Sequence, residues 1–167
     1  MSDCSIGRDE AVASTRSLSP KSTQERPPAS SESVRSRMSK QKRKDTQAEL
    51  LVRRALHSRG VRFRVGVRPE PALRVRGDIV WRGLKLIVFI DGCFWHGCPE
   101  HATRPRANAE WWAEKLDNNV RRDRRTDADL SDRDWHVLRF WEHEDPEDVA
   151  DVICAKLGAL RSASRSR

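Results

Sequence analysis

Long apolar runs are what this 167-residue sequence most plainly lacks: the longest, Leu84 to Ile90, is interrupted by Lys85 and falls far short of a membrane span, which needs roughly 20 apolar residues. A helix crossing a bilayer is excluded. Nothing near the amino terminus resembles a secretory signal, and 4 cysteines are too few for a disulfide-stapled scaffold. Free thiols in a reducing cytoplasm are therefore expected. Up to about Arg37 the chain has no periodic apolar positions; it is Ser-rich and carries Pro20, Pro27 and Pro28. Such a stretch cannot offset its ordering entropy by burial, so residues 1–37 are expected to be a disordered extension. Acidic charge is also in deficit, with 33 Lys and Arg against 25 Asp and Glu and a net charge of +8. The surplus is mostly arginine, whose planar fork suits phosphate, and it points to a nucleic-acid partner as well as to a solvated surface. With 37% hydrophobic and 35% charged residues the chain can build one modest core, not two.

The chemistry is concentrated in one place. Phe89 to His101 follows directly on the apolar run and holds Cys93, His96, Cys98 and His101, with Gly92, Gly97 and Pro99 among them. Tight turns around closely spaced thiols and imidazoles suit a metal, and soft thiolates select zinc. A Cys93–Cys98 disulfide is the competing reading and conflicts with the expected compartment. Either His96 or His101 could complete the zinc set. Closed structural sites take four ligands, whereas catalysis needs a free imidazole, an argument that favours His101 for zinc and His96 for proton transfer. Phe94 and Trp95, two large aromatics between candidate ligands, have no obvious use in a purely structural loop.

The rest of the chain reads as support. Residues 38–44 form a basic arm suited to a DNA backbone, with Met38 a candidate start. Thr46 and Glu49 form a capping box for a helix whose stripe is Leu51, Val52, Ala55 and Leu56, and Gly60 ends it. Val61, Phe63, Val65 and Val67 alternate with Arg62, Arg64 and Gly66, the period of a half-buried strand. Arg76–Trp81 and Leu84–Ile90, joined through Arg82-Gly83, read as a hairpin that returns Asp78 alongside Ile90 and Asp91. Asn108 is a cap for a long helix with Trp112, Leu116 and Val120 every fourth residue and Arg121, Arg122, Arg124 and Arg125 on its far half. Trp135–Trp141 is apolar on both faces, which predicts a central strand. Pro146 opens a last helix with Val149, Val152, Ile153, Leu157 and Leu160 on one side, where Cys154 is a core thiol, and a basic tail fills 161–167.

Helix, strand, hairpin, helix, strand, with an acid at the hairpin start, resembles the PD-(D/E)xK restriction-endonuclease-like core, an α/β fold with a central mixed sheet flanked by helices. The run Gly-Cys-Phe-Trp-His-Gly-Cys-Pro-Glu-His at 92–101, Lys115-Leu116-Asp117-Asn118-Asn119 before Arg122-Asp123, and Trp141-Glu142 sharpen this. The chain resembles the very short patch repair (Vsr) endonucleases over about Lys40 to Glu144. The resemblance implies a domain over 38–160 that nicks one strand of double-stranded DNA beside a T:G mismatch left by 5-methylcytosine deamination. It implies catalytic Mg2+ on Asp78 and the backbone carbonyl of Ile90, His96 as general base, and Glu49 and Asp123 steadying the site. Phe94, Trp95 and Trp112 match aromatics wedged into the base stack. Cys93, Cys98 and His101 match ligands of a structural Zn2+, and His143 falls where some members carry cysteine. Arg121 and Arg122 are the helix arginines expected at phosphate, a monomer is expected, and mismatch-repair proteins in the nucleoid-associated cytoplasm are the implied partners. Two departures stand out: some members carry a hydroxyl residue and a histidine where this chain has Ile90 and Asp91, and the lysine of the general nuclease pattern is missing.

Residue chemistry alone is compatible with hydrolysis, since Asp78 offers a hard oxygen ligand, His96 a base and the arginines phosphate donors. A related restriction or defence nicking enzyme, and a nonenzymatic zinc module that binds DNA, are the alternatives.

Overall fold

The computed structural model describes residues 27–28, 31–33, 35–36 and 44–165. Most of the extension read as disordered, and the basic arm apart from Lys44, lie outside the described residues. Helix α1 spans Gln47–Ser58 and begins as its capping box dictates. The Glu49 N–H donates to Thr46 Oγ1 at 3.3 Å, and the Glu49 carboxylate accepts from the Thr46 hydroxyl at 3.2 Å and the Asp45 N–H at 3.1 Å. Three strands follow among the described residues: β1 (Ile79–Trp81), β2 (Leu86–Asp91) and β3 (His136–Trp141). Between the last two lie α2 (Cys93–His96) and α3 (Ala109–Ser131), and α4 (Pro146–Arg165) closes the chain.

The sheet order is β1-β2-β3. β1 runs antiparallel to β2 with Ile79 opposite Val88, and β3 runs parallel to β2 with Ile90 opposite Phe140 and Asp91 opposite Trp141. β2 is buried at every position but Ile90 because both faces of the sheet are covered. On one face α1 and α4 pack Val52, Ala55, Leu56, Val149, Ile153 and Leu157 against Ile79, Leu86 and Val88. On the other, Val80, Ile87 and Phe89 meet Leu130 and Trp135, with Leu73 and Val75 alongside. Gly77 has to be glycine: a Cβ there would lie 2.5 Å from Ile87 Cγ1, so β1 can draw up to β2 only without a side chain at this point.

Several expectations are corrected. β3 is an edge of the described sheet, not its centre; its two-sided apolarity reflects cover from α3 on one face and α4 on the other. The 61–67 alternation does not make a ladder. Gly66 turns to a φ of +62°, and only the bridges Arg64–Val80 and Val67–Gly77 survive around it. The strand expected from Arg76 is shortened to Ile79–Trp81. Leu51 and Val152 point outward, at 38% and 50% exposure, one position off the buried stripes of their helices. Asn108 occupies the cap position of α3 with a φ of +56° but makes no side-chain cap bond. α4 continues to Arg165, past the Leu160 at which its apolar stripe ends.

Candidate active site and Cys/His cluster

The parallel pairing of β2 and β3 brings their carboxyl ends together, so the segment after Asp91 and the segment after Trp141 are neighbours. Cys93 opens α2, Cys98 follows Gly97, whose φ of +72° reverses the chain, and His143 follows β3. The ligand atoms of Cys93, Cys98, His101 and His143 all lie within 4.8 Å of one another. Cys93 Sγ is 3.1 Å from His143 Nδ1, and Cys98 Sγ is 3.9 Å from His101 Nδ1 and 3.8 Å from His143 Nδ1. A tetrahedral zinc sphere has edges of about 3.3–3.8 Å, given Zn–S near 2.3 Å and Zn–N near 2.0 Å. The residues fit a zinc ion, and both cysteines are free thiols rather than a disulfide. Burial, then Cys98 alongside, pushes the Cys93 thiol up to about 11. A cation among the four groups would reverse that by favouring thiolate. His96 stands outside this cluster, so the geometry gathers His101 and leaves the His96 imidazole for other use.

On the other side of the same loop is an open, acid-lined cleft that includes Glu49, Asp78, Asp91, His96, Asp123 and Glu142. The hairpin returns Asp78 to β2 as expected: its N–H donates to the Val88 carbonyl at 3.0 Å, and the Ile90 N–H donates to Asp78 Oδ2 at 2.8 Å. Burial, together with the charges of Glu49 and Asp91, pushes Asp78 up to about 6, against the pull of the Ile90 N–H and Arg53. Hard oxygen donors under mutual repulsion fit a hard divalent cation, whose charge would relieve them. Glu49 is 3% exposed and is engaged twice, in the cap and with Arg53 Nη2 at 2.6 Å. Glu49 lines the cleft as a held group and acts on Asp78 through charge.

His96 Nδ1 lies 2.6 Å from Asp123 Oδ2, joining α2 to α3. Burial drives the imidazole pKa down, but the Asp123 bond and the charges of Asp91 and Asp123 outweigh it, so the net shift is upward. Burial likewise drives Asp123 up, yet the His96 bond and nearby cations bring it below the ordinary carboxylate value. An ionised Asp123 can only accept, so Nδ1 carries the proton and, in the neutral ring, Nε2 keeps its lone pair.

Phe94 meets Trp95 and Trp112 edge-on and those two rings are tilted against each other, with ring centroids 5.0–5.9 Å apart, and each is only half-buried. The Asn119 amide donates to the Trp95 carbonyl at 3.0 Å and fixes the loop on α3. Arg122 lines the cleft, whereas Arg121 bonds Asn118 on the exposed side of α3. Sequence reasoning missed Trp111, which packs 4.9 Å from Trp112, and gave no role to Glu142, which accepts from the Cys93 N–H at 2.7 Å. It also missed Arg139, whose signal was present as a lone cation in an apolar strand.

An α/β protein with a four-ligand Cys/His cluster and an acid–histidine cleft, joined through one loop and flanked by half-exposed aromatics, has the makings of a phosphodiester hydrolase. The profile of the family described as DNA mismatch endonuclease Vsr matches residues 30–101. The chain is 41% identical to the type II nicking enzyme V.NaeI of Lentzea aerocolonigenes, over 80% of this chain and 82% of that protein. It is 35% identical to the type II nicking enzyme V.XorIIP of Xanthomonas oryzae pv. oryzae, over 74% and 82%. To the DNA mismatch endonuclease Vsr of Escherichia coli strain K12 it is also 35% identical, over 59% and 62%. The chain belongs to the Vsr DNA mismatch endonuclease family and is a nicking endonuclease acting on DNA.

Proposed function

We propose that this chain nicks duplex DNA in a sequence or lesion context of its own, serving restriction or defence on a PD-(D/E)xK-type core. The relatives that support this are the two type II nicking enzymes, which match 80% and 74% of the chain, whereas the mismatch endonuclease of E. coli matches 59%. The single observation that carries the chemistry is the convergence of Asp78, held on Ile90, with the Asp123-bound His96 in one cleft.

In this reading Asp78 and the Ile90 carbonyl hold magnesium, which when bound supplies charge stabilisation at the phosphoryl oxygens and a more acidic water. His96 is the general base. Its Nε2 takes the proton of the attacking water while Nδ1–H, donating to Asp123, stabilises the imidazolium that results. Glu49 is held by the helix cap and Arg53, and it keeps negative charge beside Asp78. Arg122, at the cleft, and Arg121 supply phosphate contacts. Zinc held by Cys93, Cys98, His101 and His143 ties the loop after β2 to the end of β3 and takes no part in bond cleavage. The protein works as a monomer.

A second reading, nicking beside a T:G mismatch, is favoured by the aromatic group at the cleft. In it half-exposed Phe94, Trp95 and Trp112, of which Trp95 and Trp112 line the cleft, enter a base step, and a wobble pair is cheaper to unstack than a matched one. Nicking of T:G, T:A and other mismatched duplexes in randomised flanking sequence, with and without magnesium, separates the two. Preference for T:G over T:A supports the second reading; cutting in one sequence or lesion context without that preference supports the first. Trp95→Ala, folded and zinc-loaded, should lose any T:G over T:A preference, and an unchanged preference would return the rings to a packing role.

A further inference from the structure

Arg139 is a cation in the middle of β3, half-buried, and it serves neither the cap, the Cys/His cluster nor the core. Each of its three guanidinium nitrogens donates to a carboxylate. Nη1 donates to both Asp91 oxygens at 3.0 and 2.8 Å, Nε and Nη2 donate to Asp127 at 2.9–3.0 Å, and Cζ sits 4.4 Å over the Phe89 ring. Both acids flank the His96–Asp123 pair. Asp91 Oδ1 is 3.5 Å from His96 Nδ1, against 2.6 Å for Asp123 Oδ2. Asp127 lies four residues after Asp123 on α3, one turn along the same face.

We propose that Arg139 is a positioning residue for His96. By clamping Asp91 it keeps that carboxylate from capturing the imidazole, and by clamping Asp127 it fixes the roll of α3 that presents Asp123 to Nδ1. Asp91 is 8% exposed, and a buried carboxylate without its cation must turn to the nearest donor. That donor is His96 Nδ1. A ring drawn from Asp123 toward Asp91 no longer aims Nε2 into the cleft, whereas ground-state contacts with DNA elsewhere on the protein are untouched.

The inference rests on His96 as the base, so its test includes His96→Ala. Single-turnover nicking is measured on the duplex best cut in the mismatch and flank panel, alongside duplex affinity and melting temperature. Arg139→Met should lower the nicking rate constant by about tenfold to a hundredfold, the usual scale for a misplaced catalytic group, with affinity held within about twofold. Adding Asp91→Asn to Arg139→Met should restore most of that loss, because a neutral amide no longer draws the imidazole. Arg139→Lys, which keeps the charge and loses the fork, should fall between. A rate unchanged in Arg139→Met, or a loss that Asp91→Asn leaves in place, overturns the proposal. Where Arg139→Met does not fold, Asp127→Asn serves instead: a lowered rate constant at unchanged affinity is expected, and an unchanged rate overturns it. Wild-type nicking by His96→Ala would instead sink the base assignment, whatever Arg139 does.

Discussion

Asp78 shows how far the site works against the fold. Its carboxyl is pushed up to about 6 by burial and by Glu49 and Asp91, so the folded chain binds that proton more tightly than the unfolded chain does. The resulting stabilisation is present in full below the ordinary carboxylate value of 3.8 and is lost as pH rises through about 6. At pH 8 without magnesium the ionised group costs on the order of 3 kcal/mol. Asp78→Asn should therefore melt above wild type at pH 8 without magnesium, with the gap closing near pH 4, and it should not nick. A lower melting temperature than wild type at pH 8 would contradict this. His96 supplies the second residue-scale prediction. Asp123 holds the imidazole pKa above its ordinary value, so a rate that needs neutral His96 falls as pH drops through that raised value. Asp123→Asn should move the acid limb of the pH–rate profile to lower pH and reduce the plateau; an unmoved limb would mean that another group sets it.

At the scale of elements, the Cys/His cluster joins two chain ends that the sheet only brings close. Cys93 and Cys98 belong to α2 and the turn after it, and His143 to the exit of β3. His143→Ala should lower zinc content and melting temperature together, and full zinc occupancy in that variant would remove His143 from the ligand set. Local signals gave these elements away well where the physics is local. The Thr46–Glu49 box, Gly60, the turn at Arg82-Gly83 and the Pro146 start are all where side-chain chemistry puts them. The position of β3 was not legible in the same way. Two-sided apolarity reports cover by helices, and a strand between α3 and α4 has that cover even at the edge. Likewise Val61–Val67 alternates like a strand, but Gly66 breaks the ladder after single bridges.

For the whole molecule, the candidate site was legible to the extent that its residues are close in sequence or carry unusual chemistry. Cys93, His96, Cys98 and His101 stand within nine positions, and Asp78 was found because a hairpin returns it to Ile90. Arg139 and Glu142 were hidden because their partners, Asp91, Asp127 and the Cys93 N–H, lie 12 to 49 residues away. Only the parallel pairing of β2 with β3 and the packing of α3 bring them together. The fold thus assembles one loop with two faces, a zinc-suited cluster on one side and an acid–histidine cleft on the other. No helix among the described residues is long and apolar enough to cross a membrane. The central claim is that this cleft cuts one strand of DNA through Asp78 and a divalent cation. Its most direct test is electrophoresis of supercoiled plasmid carrying the site best cut in the mismatch and flank panel, incubated with wild type or Asp78→Ala, with and without magnesium. Wild type with magnesium should convert it to relaxed circles without linear product, while Asp78→Ala binds the plasmid and leaves it supercoiled; linear product, or equal nicking by Asp78→Ala, would contradict the account.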